Sequence, residues 1–334
     1  MLYPKISIVT TSFNQGNFLE ETILSIINQE YQNLEYIIID AGSTDISIDI
    51  IKKYEDQIAW WVSEKDRGQS HGINKGIEKA TGEIIATIPS DDLLLPGALL
   101  KVAEEFNNAD EHISIIHGGT MLFNEKGDIR PEWGHPNPSY ERYLSGLCFS
   151  HTAGFVRKKH LDIVGYYNEK RHYGMDYDLY SRLLLVSRFK KTNHMFSKYR
   201  FHDESKTVSL TEKFTDDWIQ SFVNLIYNLQ LKGIRNELAG LGIFDSYLKK
   251  AESFEFSFEK IKPDERKMSY YFLTDIMRAD YRTANLKRAR LLAIHIEKSY
   301  ELIDEYDVPI IISRLKKYPL FFIATAKKLK RYIN

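Results

Sequence analysis

Ile84-Ile85-Ala86-Thr87-Ile88 runs straight into Pro89-Ser90-Asp91-Asp92, and Leu95-Pro96-Gly97 opens the next segment. The apolar run has the length and composition of a strand buried on both faces, and the proline–glycine pair reads as entry to a helix. The same alternation occurs three times upstream. Ile6 to Thr11 reads as a strand and Asn17 to Gln29 as a helix, with Phe18, Ile23, Ile26 and Ile27 at helical spacing. Tyr36 to Ile39 is followed by a helix from Ser47 to Tyr54, and Ile58 to Val62 by one near Gly72 to Lys79. A helix from Pro96 to Phe106 closes the run. Four buried-type strands separated by helices give an α/β fold with a parallel sheet covered on both faces.

Further along, the pattern loosens. Ile113 to Phe123 and Gly154 to Val156 read as strands, with a turn at Asn124-Glu125-Lys126-Gly127-Asp128. Asp176 to Ser187 reads as a helix and Phe189 to Phe201 as extended chain. After about Leu210 the chain reads as helical throughout, which suggests a main domain over 1–209 and a helical region over 210–334.

Composition narrows the classes. A formal net charge of -1 over 334 residues argues against a general nucleic-acid binder. One cysteine, Cys148, permits no internal disulfide and fits a reducing compartment, with a buried small hydrophobe as its expected role. Met1-Leu2-Tyr3-Pro4-Lys5 lacks the apolar core of an export signal, so a cytoplasmic location is expected. No apolar stretch approaches the roughly 20 residues of a membrane span.

The first strand is followed by Thr10-Thr11-Ser12-Phe13-Asn14-Gln15-Gly16, not by a Gly-x-Gly-x-x-Gly, and no Gly-Lys-Ser/Thr phosphate loop follows. Dinucleotide dehydrogenases and P-loop enzymes lose their support. What remains is a set of acids at strand ends: Asp40 after the second strand, Asp91 and Asp92 after the fourth. In a parallel sheet these ends share one edge, where ligands sit. Carboxylates there suit a hard divalent cation that shares its other positions with phosphate. An acidic pair before a helix is also a common solvated cap.

Several blocks, in order, resemble the family 2 glycosyltransferases of the GT-A type. They are Ile6-Ser7-Ile8-Val9-Thr10-Thr11-Ser12-Phe13-Asn14, Ser25-Ile26-Ile27-Asn28-Gln29, and Glu35-Tyr36-Ile37-Ile38-Ile39-Asp40-Ala41-Gly42-Ser43-Thr44-Asp45. Glu64-Lys65-Asp66-Arg67-Gly68-Gln69, Ile73-Asn74-Lys75-Gly76 and Thr81-Gly82-Glu83 leading into Ser90-Asp91-Asp92 continue the order. Gly174-Met175-Asp176-Tyr177-Asp178-Leu179 and Arg200-Phe201-His202 complete it, so that the resemblance runs from Ile6 to about Thr207.

The resemblance implies a GT-A type nucleotide-binding sheet flanked by helices, with a helical C-terminal extension. It implies an inverting, metal-dependent transfer from a UDP-sugar to a glycan or lipid-linked acceptor in surface polysaccharide assembly. Thr11, Asp40, Arg67, Asn74, Ser90 and Asp91 are then expected at the nucleotide, Asp40 accepting the imide N–H of uracil. Mg²⁺ or Mn²⁺ is expected at Asp91, with Asp92 and His202 beside it. Asp176 is the implied general base, taking the acceptor's hydroxyl proton. Asp178 is its rival, about 200° around the same helix. The sequence departs from the family pattern at Pro89 and Met175, where acids are frequent. Those departures leave open a sugar-nucleotide-binding module without catalysis, and a nucleotidyltransferase is the other alternative. Finally, Ile312 to Asn334 carries seven Lys/Arg and no acid around Leu320-Phe321-Phe322-Ile323. This pattern suits either peripheral contact with an anionic membrane or a helix packed on its own domain.

Overall fold

The computed structural model describes residues 3–202, 211–259, 261–283, 285–302 and 307–333, with side chains placed for all of these except 211–212 and 327–333. The expected domain boundary at residues 209–210 and the end of the family resemblance near Thr207 lie outside the described residues. The chain divides into two compact units. One holds the residues up to Asn137, the stretch from Leu147 through His202, and Glu255–Glu259; the other holds Pro138–Gly146 and the remaining helices.

The first unit is built on one mixed sheet. Strands β1 (Ile6–Ser12), β2 (Leu34–Asp40), β3 (Trp60–Ser63), β4 (Ile84–Thr87), β5 (Leu93–Leu94), β6 (Ile113–Asn124), β7 (Gly127–Glu132), β8 (Gly154–Arg157) and β9 (Arg188–Arg200) lie in the order β3-β2-β1-β4-β8-β6-β9-β5, with β7 on β6. The four expected strands are parallel neighbours, and Ser12, Asp40 and Ser63 share one register line at the carboxyl edge. One face of the sheet (Ile6, Ile8, Tyr36, Ile38, Ile84, Ala86) packs on helices α1 (Gly16–Ile27) and α4 (Ala98–Asn107) through Leu19, Ile23, Leu99 and Phe106. Helices α2 (Ser47–Lys53) and α3 (Gln69–Lys79) complete the α/β layers. α3 lies against β1 closely enough that a Cβ on Gly76 would stand 2.3 Å from Val9 Cγ1.

Glu35, at the start of β2, fastens the amino edge of the sheet. Its carboxylate accepts from Lys5 Nζ (2.7 Å), Ser7 Oγ (2.6 Å), Thr81 N (2.7 Å) and Thr81 Oγ1 (2.7 Å). Burial alone would raise its pKa, but these donors outweigh burial and hold it at about 2.

Beyond β4 the structure adds elements that the sequence pattern does not announce. The two-residue β5 pairs antiparallel with the end of β9, Leu93 opposite Lys198 and Leu94 opposite Ser197. Helix α5 (Tyr140–Ser145) belongs to the second unit, where Arg142 meets Asp275 at 2.6 Å and Ser145 Oγ donates to Met268 O at 3.0 Å. α6 (Lys158–Val164) follows β8, and α7 (Met175–Leu183) takes the place of the helix expected from Asp176 to Ser187.

The second unit is otherwise helical: α8 (Thr211–Asn228), α9 (Lys232–Leu241), α10 (Asp245–Leu248), α11 (Glu265–Thr283), α12 (Leu286–Ser299), α13 (Asp307–Lys317) and α14 (Leu320–Ile333). Phe222 of α8 and Phe272 of α11 stack at 3.8 Å in its core. Among the described residues no helix is long and apolar enough to cross a membrane.

Candidate active site

At the carboxyl edge, Asp40 is wholly buried and its carboxylate turns into its own loop. Oδ2 accepts from Gly42 N (3.0 Å), Ser43 N (2.8 Å) and Ser63 Oγ (2.7 Å), while Oδ1 accepts from Ser43 Oγ (2.5 Å). Gly42 takes φ +82°, a conformation that glycine adopts without strain. The loop after β1 is stitched to this turn: Asn14 N donates to Ser43 Oγ (2.8 Å) and Asn14 Oδ1 accepts from Thr44 N (2.9 Å). These bonds commit the Asp40 carboxylate to shaping its own loop. Thr11 sits half-buried on β1 just below. Phe13, which sequence reasoning passed over, stands 57% exposed on this edge. A single loop aromatic carries no periodic signal; only its exposure beside the stitched turn marks it.

Arg67 and Asn74 are engaged with the segment that leads into α7. Arg67 pairs with Glu169 at 2.8 Å. Asn74 clamps the backbone of Tyr167 from both sides, donating to its O (2.8 Å) and accepting from its N (2.9 Å). Ser70 Oγ adds a bond to Arg171 O at 3.1 Å. These contacts fix the entry to the helix that carries Asp176.

Asp91 and Asp92 lie where the end of β4 meets the end of β9. From α1, Thr22 Oγ1 contacts Ser90 O (2.8 Å) and Asp92 O (2.9 Å), which pins the turn. Arg200 ties it to β9: its backbone N donates to Asp92 Oδ1 (2.8 Å) and its Nε to Asp91 O (2.9 Å). The guanidinium lies between the rings of Phe18 (4.9 Å) and Phe123 (4.4 Å). The two acids therefore part company. Asp92 is 1% exposed and points inward, with Oδ2 lacking a hydrogen-bond partner. Burial first, and then the neighbouring Asp91 charge, push its pKa well above the carboxylate range. Asp91 instead faces the edge, and its Oδ2 lies 3.0 Å from His202 Nε2.

Of the three expected metal ligands, the structure brings Asp91 and His202 together and turns Asp92 away. Among the described residues no group of three or more His, Cys, Asp or Glu is arranged to hold a metal. The pair still fits an ion that takes its remaining ligands from phosphate. The two side chains are hydrogen-bonded to each other, and a carboxylate oxygen beside a phosphate is the donor set that Mg²⁺ and Mn²⁺ favour. Carboxylate and imidazole are donors that Mn²⁺ accepts.

Asp176 is the second residue of α7, and its Oδ1 accepts from Tyr177 N at 3.0 Å. Burial raises its pKa, and the nearby His151 draws it part of the way back. Asp178 is built into the core: 3% exposed, it accepts from Arg182 Nε (3.0 Å), whose other nitrogens bond Val164 O, Gly165 O and Tyr166 O. The helix thus leaves Asp176, not its rival, available for proton transfer. His151, in a short turn before β8, has a buried Nε2 without a hydrogen bond. Burial lowers its pKa, while Asp176 and then Asp91 oppose the shift. It therefore lies within electrostatic reach of both acids.

The family model for glycosyl transferase family 2 matches residues 7–163. An uncharacterized glycosyltransferase of Haemophilus influenzae is 31% identical over 175 residues, 51% of this chain and 69% of that protein. The Campylobacter jejuni GalNAc(5)-diNAcBac-PP-undecaprenol beta-1,3-glucosyltransferase is 30% identical over 134 residues, 39% of this chain and 42% of that one. The chain spans about a third of the length of two Rickettsia glycosyltransferases that it also matches, 36% and 35%. Among solved structures, S. aureus TarS 1–349 in complex with UDP-GlcNAc aligns over 92% of this chain and 90% of its own with a TM-score of 0.55 at 18% identity. A mannosyltransferase from Pyrobaculum calidifontis in complex with GDP-Man and Mn²⁺ aligns over 99% and 85% with a TM-score of 0.55 at 14% identity. Both likenesses carry the GT-A type fold alone. With the sheet, the ordered blocks along it and the Haemophilus relative all in agreement, this chain belongs to glycosyl transferase family 2.

Proposed function

We propose that the protein transfers a sugar, with inversion, from a UDP-sugar to a hydroxyl of a lipid-linked glycan in surface polysaccharide assembly. The observation that carries this reading is the Asp91–His202 pair, 3.0 Å apart at the sheet's carboxyl edge, with Asp176 left unclaimed by the arginine that occupies Asp178. In the transfer the acceptor oxygen bonds to the anomeric carbon as the bond to the UDP oxygen breaks. Asp176 takes the acceptor proton, and burial supports this role by making its carboxylate a better base. Asp91 and His202 would hold a Mg²⁺ or Mn²⁺, which when bound offsets charge on the leaving diphosphate.

Asp40 keeps the nucleotide loop in shape, and Phe13 offers an exposed face on which a base can stack, a contact worth about 1–3 kcal/mol. Thr11 lies half-buried on the same edge, and Ser90 is buried in the turn before Asp91. Arg67 and Asn74 act by holding the segment before Asp176, in addition to any contact with the diphosphate. The undecaprenol-linked substrate in the Campylobacter protein's name supports a lipid-linked acceptor. UDP in the TarS complex supports the donor class, and Mn²⁺ in the mannosyltransferase complex supports the metal. Such an acceptor would bring the protein to the inner face of the membrane.

A screen of UDP-, GDP- and dTDP-sugars by thermal shift, with and without Mn²⁺, tests the donor. Release of UDP on adding undecaprenyl-diphosphate-linked saccharides tests the transfer. Stabilisation by a UDP-sugar only when Mn²⁺ is present, followed by acceptor-dependent UDP release, is expected. Equal stabilisation without metal, or a preference for GDP-sugars, would overturn the metal or the donor assignment respectively.

A further inference from the structure

In the second unit, α13 and α14 meet at Tyr318-Pro319, and the corner between them is built. Arg290 on α12 donates from Nε to Leu315 O at 2.6 Å and from its terminal nitrogen to Tyr318 O. Leu315 O is among the carbonyls that a helix end leaves without an internal partner. Pro319 O accepts from Phe322 N at 3.0 Å, so α14 begins at once. Ile323 turns inward, whereas Phe321 and Phe322 stand 65% and 59% exposed with ring centroids 4.4 Å apart. Two adjacent outward phenylalanines make a contiguous apolar patch, unlike the scattered single residues that are ordinary on a surface.

The charge beside them says what covers it. From Ile312 to Asn334 the sequence has seven Lys/Arg and no Asp/Glu, on both sides of the aromatic pair. Lys316 is paired with Glu297, while Arg314 and Lys317 are exposed. Aromatic residues flanked by basic ones suit a helix lying at an anionic lipid surface, the rings among the headgroups and the cations on the phosphates. A second copy of the chain would meet its own like charge at this face and fits poorly.

We infer that the Tyr318–Phe322 corner is a wedge that seats the protein on an anionic bilayer, with Phe321 and Phe322 entering it and Arg290 holding them ready. The inference deepens the proposed lipid-linked acceptor and rests on that reading only for its purpose. Vesicle binding requires neither nucleotide nor acceptor, so the two readings fail separately.

The test is sedimentation of the full chain with vesicles of phosphatidylcholine and phosphatidylglycerol at 7:3, against phosphatidylcholine alone. The wild type is expected to bind the anionic vesicles at low salt and to be released as salt rises. The double variant Phe321→Ser/Phe322→Ser should partition at least about tenfold more weakly, with an unchanged melting temperature. Arg290→Gln, which leaves both rings in place and only loosens the corner, should weaken binding to a smaller extent. Wild-type protein that stays in the supernatant at low salt overturns the inference. So does a double variant that pellets like the wild type, or one whose altered property is its mass in solution, which would make the rings a contact between copies.

Discussion

Asp40→Asn separates a loop-shaping acid from a base-reading one. Four hydrogen bonds converge on the buried carboxylate, from Gly42 N, Ser43 N, Ser43 Oγ and Ser63 Oγ. Asparagine keeps the shape and one oxygen. Placed with that oxygen where Oδ2 was, it retains three acceptor contacts but removes the charge from them and presents N–H to Ser43 Oγ. Charge-assisted bonds are roughly twice as strong as neutral ones, and each bond to a charged group contributes about 1.5–3 kcal/mol. Losing that assistance at the two backbone N–H groups costs about 2 kcal/mol in all. For a unit of this size that is a fall of about 4–8 °C in melting temperature. Asp40→Ala orphans both N–H groups and should cost about 2–6 kcal/mol. Differential scanning fluorimetry reads the stability, and calorimetry with UDP and CDP in Mn²⁺ reads the base preference. The loop-shaping reading expects lower stability and an unchanged ratio of UDP to CDP affinity. An Asn variant that melts like the wild type but no longer tells UDP from CDP would refute it and return the carboxylate to the pyrimidine imide.

Three other outcomes follow from the same geometry. Asp91→Asn should abolish the gain in UDP affinity on adding Mn²⁺, about tenfold or more, while the metal-free protein melts as before; calorimetry with and without metal checks both. Asp176→Asn should slow transfer by about 10²–10⁴-fold and leave UDP-sugar affinity intact in equilibrium binding. Burial raises the pKa of Asp176, so the folded state holds its proton to a higher pH than the unfolded chain, and stability falls as pH rises between the two values. The Asn variant should therefore be at least as stable as wild type at pH 8, and the low-pH limb of wild-type kcat/KM should lie above the ordinary carboxylate range; a variant that melts early at pH 8 makes Asp176 structural. Gly76→Ala drives a methyl to 2.3 Å from Val9 Cγ1 and should cost about 1–3 kcal/mol by overpacking, read by urea denaturation.

The parallel half of the sheet was legible because its strands are uninterrupted apolar runs, a pattern that burial on both faces imposes. β5 was not, since two residues, Leu93 and Leu94, carry no period; only the distant end of β9 makes them a strand. α5 escaped for a related reason: six residues with Arg142 among them become a helix through partners on α11, more than a hundred positions later. At the site, the acids were readable as residues but not as directions. Asp91 and Asp92 are neighbours in sequence, and what sends one to His202 and the other to the backbone of Arg200 is the pairing with β9. Asp40 posed the same difficulty, because a carboxylate before Ala-Gly-Ser can cap its turn or face a ligand. Ser63, on another strand, closes the former arrangement. Arg67 and Asn74 look like solvated loop residues until Glu169 and Tyr167 arrive about a hundred residues later.

Glu35 ties Lys5, Ser7 and Thr81 together at the edge of the sheet farthest from Asp40 along the same strand. The fastening of strand alignment is thereby lodged at the end of β2 opposite the candidate site. A slip of one residue would turn every side chain of a strand to the other face, and the Glu35 knot resists it whatever happens at the carboxyl end. For an engineer the same separation names what to leave untouched when the other end is altered: Lys5, Ser7, Glu35 and Thr81.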